Sequence, residues 1–100
     1  MATVLLLNGP NLNLLGTRDP EIYGSMNLSG IEEQVSAVFH EHKIECETFQ
    51  SNSKGELIDW LHHHKNAEFL LLNPGALTHN SFGLRDAVLG IEIPFMEIHL

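Results

Sequence analysis

Tyr23 and Arg18 are the residues on which a reaction could turn. They share one loop, NGPNLNLLGTRDPEIYG (8–24), that holds the only tyrosine of the chain and one of its two arginines. A free tyrosine titrates near ~10 and a neighbouring guanidinium lowers such a value by roughly 1 to 3 units, so Tyr23 beside Arg18 is a candidate general base. At the far end Glu97 and His99 stand two residues apart, a spacing that puts both side chains on one face of a strand. A carboxylate beside an imidazole fixes its tautomer and favours the protonated ring, which makes His99 a candidate general acid. A base and an acid together suit removal of a proton from carbon and loss of a hydroxyl as water.

These residues need a scaffold that brings distant loops to one rim. Residues 3–8, TVLLLN, form a continuous apolar run ended by Asn8-Gly9, the mark of a strand buried on both faces. A helix is expected next, capped by Ser29 with Glu32 three residues on, or earlier by Asn27, and running to about His42. Ile31, Val35, Val38 and Phe39 give it an apolar stripe. A short strand over Ile44 to Phe49 follows, then a second capping box at Ser53 and Glu56 that opens a helix burying Leu57, Ile58 and Leu61.

Phe69 to Leu72 is another continuous apolar run, closed by Asn73-Pro74-Gly75. Phe82, Leu84, Val88 and Leu89 mark a last helix stopped at Gly90, and PFMEIHL (94–100) reads as the final strand. Strands alternating with helices predict an α/β fold, a doubly wound parallel sheet of flavodoxin-like type. In such sheets ligands bind beyond the carboxyl ends of the strands. The unusual residues obey that rule: Asn11, Arg18 and Tyr23 follow the first strand, Asn73 and His79 the third, and Glu97 and His99 end the fourth.

Composition narrows the partners. One hundred residues make a single domain, 1–100, with 43% apolar and 18% charged residues, as a folded protein requires. The net charge of -8 and five dispersed Lys and Arg argue against nucleic acid. Val4 to Leu7 is too short to span a membrane, and the lone Cys46 reads as a buried or half-buried thiol in a reducing compartment, so a cytoplasmic location is expected. Consecutive helical residues point about 100° apart, so His62, His63 and His64 form no shared metal-ligand face and read as a solvated helix end. No cofactor or metal is expected.

Each of these residues also has a plainer reading. Asn8-Gly9 and Asn73-Pro74-Gly75 are turn chemistry whatever else they do, and Asn11 and Asn13 can simply satisfy loop backbone. His79 and His99 would ordinarily be structural histidines, and only their places at the rim lift them.

Taken together, NGPNLNLLGTRDPEIYG, FQSNSKGELIDWLH, NPGALTHNSFGLRDA and IPFMEIHL resemble successive blocks of the type II 3-dehydroquinate dehydratases, lyases of the shikimate pathway that leads to chorismate and the aromatic amino acids. The resemblance implies anti elimination through an enolate, converting 3-dehydroquinate to 3-dehydroshikimate without metal or lysine Schiff base. It implies that Tyr23 abstracts the C2 proton, Arg18 holds the tyrosinate, Asn11 positions a water that stabilises the enolate, His99 protonates the departing hydroxyl, and Glu97 orients His99. Asn73, His79 and Asp86 carry over as substrate-binding residues, Asp86 across a subunit contact, and Leu100 as the first member of a carboxylate-binding segment. A homo-oligomer, a dodecamer of trimers, is also implied. Family members continue past this strand with a Ser, an Arg, and a further strand with helices, so the expectation is a C-terminally truncated domain lacking the last strand and helices, with one exposed sheet edge. A reading from another class is a catalytically silent flavodoxin-like module for assembly or ligand binding. A phosphate or nucleotide binder fits least, because the first loop lacks a glycine fingerprint.

Overall fold

The structure, a computed structural model, describes residues 1–17, 26–78 and 82–99. Its first strand, β1 (Ala2–Asn8), owes its place to the apolar run: Leu5 and Leu7 are wholly buried on one face, Val4 and Leu6 almost so on the other. Helix α1 (Leu28–Glu41), strand β2 (Ile44–Gln50), helix α2 (Lys54–His63), strand β3 (Phe69–Asn73), helix α3 (Phe82–Gly90) and strand β4 (Phe95–Glu97) follow in that order. The strands form one parallel sheet in the order β2-β1-β3-β4. Chain order reverses between β1 and β3, so the switch point of this flavodoxin-like sheet lies at their carboxyl ends.

The main core fills the space between the sheet and the α2–α3 layer. Leu5, Leu7, Leu70 and Leu72 meet Leu57, Leu61, Leu84 and Val88 there. At roughly 1.5 to 3 kcal/mol per fully buried aliphatic side chain, this layer is what holds α2 and α3 on the sheet. Phe49 stacks on Trp60 with ring centroids 5.5 Å apart, and Trp60 on His64 at 4.0 Å. His64 also reaches Glu47 at 3.4 Å, which ties the end of α2 to the edge strand. Of the three consecutive histidines it is therefore not a solvated one, while His62 and His63 are exposed.

Of the two caps the sequence offers for α1 the earlier one serves: the Asn27 side chain accepts the Gly30 N–H at 2.9 Å, and the helix starts two residues before the Ser29 box would place it. Three further expectations need correction. Val38 is 55% exposed and Leu89 67%, since α1 packs mainly over β2 at the sheet edge and Leu89 lies on the outer side of α3. The Ser53 box is half made: Ser53 accepts from the Glu56 N–H, but the Glu56 carboxylate takes the Ser51 hydroxyl at 2.6 Å instead of closing on Ser53. Strand β4 pairs only over Phe95–Glu97, and the backbone continues with a single bond from the Ile98 N–H to Leu72 O at 2.8 Å. No helix among the described residues is long and apolar enough to cross a membrane.

Candidate active site

The rim of the sheet is assembled by two loops that touch backbone to backbone. Gly9 donates its N–H to Asn73 O at 2.8 Å, and a Cβ on Gly9 would lie 2.3 Å from Pro74 O. No side chain fits there. Gly75, with φ of 59°, presents the same closeness from the other loop, its Cβ position only 2.9 Å from Pro10 O. These glycines let the loops after β1 and β3 interlock at the switch point.

Inside that junction Asn8 and Asn73 face each other, each 1% exposed and paired in register. The Asn73 Nδ2 donates to Asn8 Oδ1 at 3.4 Å. The Asn8 Nδ2 is buried without a partner among the described residues, and a buried unpaired donor costs about 1 to 3 kcal/mol. From the sequence Asn8 reads as turn chemistry at the end of the first strand, whatever else it does. Its burial is set by the pairing of β1 with β3, which no local signal reports.

Asn11 follows in a left-handed conformation, φ of 69°, that asparagine tolerates better than most residues. Its N–H donates to Asn52 Oδ1 at 2.9 Å, while Gln50 Nε2 donates to that same oxygen at 3.2 Å and to Gly9 O at 3.1 Å. The end of β2 thus braces the first loop. Asn11 itself stays exposed at the rim, where it can meet a ligand or a water.

On the other side of the switch point β4 supplies the carboxylate and imidazole. Its register sets Glu97 beside Leu72, a residue of the α2–α3 core, so Glu97 faces α3. His99 Nε2 stands 3.7 Å from Glu97 Oε2, and Arg85 Nη2, from α3, stands 3.5 Å from Glu97 Oε1. Each carboxylate oxygen therefore has its own cationic or protonatable neighbour. The pairing of Glu97 with His99 agrees with their spacing in the sequence, although the strand ends at Glu97. Arg85 went unnoticed in the sequence, because only the seating of α3 on β4 reveals it.

Asp86, one residue on, does not reach the rim. It lines a groove between α2 and α3 with His62, Lys65 and Asn66. Tyr23, Arg18, His79 and Leu100 lie outside the described residues, so the proposed base and its cation have no described geometry. Elsewhere an open groove of about 800 Å³ between α1 and β2 is lined by Glu32, Ser36, His40, Cys46 and Thr48 among others, and contains none of these residues. Burial there pushes the Cys46 thiol above its ordinary value. Among the described residues no three His, Cys, Asp or Glu side chains gather as a metal site would need.

The comparisons with known proteins bear on the whole of this arrangement. The family model described as dehydroquinase class II matches residues 2–100. The chain is 50% identical over its full length to a catabolic 3-dehydroquinase 2 of Aspergillus terreus, of which it covers 69%. It is 51% identical, over 97% of its length, to a 3-dehydroquinate dehydratase of Haemophilus influenzae, of which it covers 66%. The crystal structure of a type II dehydroquinase from Butyrivibrio crossotus superposes on 98% of the chain with a TM-score of 0.91 at 36% identity, and 70% of that protein is covered. The chain thus spans about two thirds of the length of these relatives. With a family match from end to end and half of its residues shared with curated members, the chain belongs to the class II dehydroquinases.

Proposed function

We propose that this protein dehydrates 3-dehydroquinate to 3-dehydroshikimate, the reaction named for its Haemophilus influenzae relative and a step of the shikimate pathway. The observation that carries the reading is the Glu97–His99 pair, 3.7 Å apart at the carboxyl edge of a class II dehydroquinase sheet. An elimination next to a carbonyl needs a base for the carbon-bound proton, stabilisation of the enolate, and an acid for the departing hydroxyl. His99 is the acid, held by Glu97. Tyr23 is the base, its tyrosinate held by Arg18, and Asn11 at the rim positions the water that supports the enolate oxygen. Asn73 and His79 bind substrate after β3, and Leu100 begins the grip on its carboxylate.

Asp86 acts in the site of a neighbouring subunit, which fits its distance from the rim of its own chain. Assembly into trimers and a dodecamer belongs to the same reading; Leu89, Phe95 and Met96 are exposed along α3 and the β4 edge, apolar surface that another subunit can cover. The single thiol, Cys46, is free, and a reducing, cytoplasmic compartment accords with it.

The order of steps is the test. Enolate formation precedes protonation of the leaving group, so His99→Ala slows release of water by about 10²-fold or more, the usual contribution of a positioned acid, while exchange of the C2 proton with deuterated solvent continues. Equal loss of exchange and elimination would remove His99 from the role of acid.

A further inference from the structure

We infer that Arg85 is a positioning residue for the general acid, working through Glu97. The inference rests on the dehydratase reading given above. Glu97 uses its two oxygens separately: Oε1 faces the Arg85 guanidinium at 3.5 Å and Oε2 faces His99 Nε2 at 3.7 Å. A carboxylate with only one partner rotates about its terminal bond, whereas one held from the opposite side presents a fixed oxygen to the imidazole.

The need for such a tether follows from the strand. Glu97 is the last paired residue of β4, and the His99 side chain beyond it is 57% exposed, so the sheet alone leaves the acid loosely placed. Helix α3 provides a firm base, because Leu84 and Val88 are each 2% exposed in the core. Arg85 lines a small apolar recess with Leu72, Val88, Leu89, Phe95 and Glu97, so its aliphatic stem borders apolar surface while its charge is delivered at Glu97. Among the described residues the charged groups at Glu97 are Arg85 from α3 and His99 from the segment after β4. Asp86, next along α3, lines the groove with His62 and Lys65 instead.

The ion pair is half-exposed, with Arg85 at 54% and Glu97 at 31%, and such pairs add little to stability. Its effect belongs to geometry, and the test reads geometry directly. In the full chain, imidazole nitrogen–proton NMR correlations report each histidine, and His99 is assigned by the signal lost in His99→Gln. Arg85→Gln shifts the His99 signals and leaves those of His62, His63 and His64 in place; Arg85→Lys, which keeps the charge, returns them most of the way. In a Glu97→Gln background Arg85→Gln moves His99 no further, as a tether acting through Glu97 demands. A His99 signal indifferent to Arg85→Gln, or shifted equally with and without Glu97, would overturn the inference.

Turnover supplies the second readout. Arg85→Gln lowers kcat for water release about tenfold, a part of the 10²-fold or greater contribution of a positioned acid, with KM and C2-proton exchange little changed. Equal slowing of exchange and elimination would make Arg85 merely structural and overturn the inference. The NMR response with no dehydration from either parent or variant would contradict the dehydratase reading while supporting the tether.

Discussion

Gly9 shows how much a single position decides at this site. Its missing Cβ leaves room for Pro74 O, which would otherwise lie 2.3 Å away, and that contact sets the loops after β1 and β3 against each other. Because the clash is with backbone and not a flexible side chain, Gly9→Ala destabilises the fold toward the upper end of the roughly 1 to 3 kcal/mol typical of overpacking. Urea unfolding measures this, and a change under about 0.5 kcal/mol, the scale of a surface substitution, would show that the loops do not interlock as described. At this scale the sequence was legible where chemistry depends on close spacing. Glu97 and His99, two apart, do meet. It was silent where a residue acquires its role from a distant partner: Asn8 is buried by pairing with Asn73, 65 residues away, and Arg85 finds Glu97 only because α3 lies over β4.

The elements follow from periodicity and caps, with errors that have a common physical origin. Apolar runs identified β1 and β3 as doubly buried strands, and helical spacing placed α2 and α3. Stripes say which face of a helix prefers burial, but how much is buried depends on the layer beneath, and α1 lies over the edge strand β2. Val38 is accordingly exposed. The start of α1 was ambiguous because both Asn27 and Ser29 are good caps, and only the hydrogen bond to the Gly30 N–H decides between them. Asn27→Ala therefore lowers stability by about 1 kcal/mol, as loss of a side-chain cap does, while Ser29→Ala, inside the first turn, changes it by less than about 0.5 kcal/mol. Urea midpoints at unchanged slope would show this order, and the reverse order would return the cap to Ser29.

For the molecule as a whole, the α/β class was legible because unalternating strands between amphipathic helices have few other solutions. The strand order β2-β1-β3-β4 was not, since four such strands satisfy the same local rules in several arrangements. Motifs long enough to span both loops and elements carried the family from the sequence, and the match over residues 2–100 agrees. The spatial consequence is a switch point where Asn8 and Asn73 meet, with Asn11 in the loop above β1 braced by Asn52, and Glu97 and His99 stand on the other side. The most direct measurement of the central claim is the appearance of the conjugated enone, followed by ultraviolet absorbance, when the purified protein of confirmed mass is given 3-dehydroquinate, with Tyr23→Phe run beside it. The account predicts enone formation by the parent and its near-complete loss in the variant. A folded parent that forms no enone, or a Tyr23→Phe variant as fast as the parent, would contradict it.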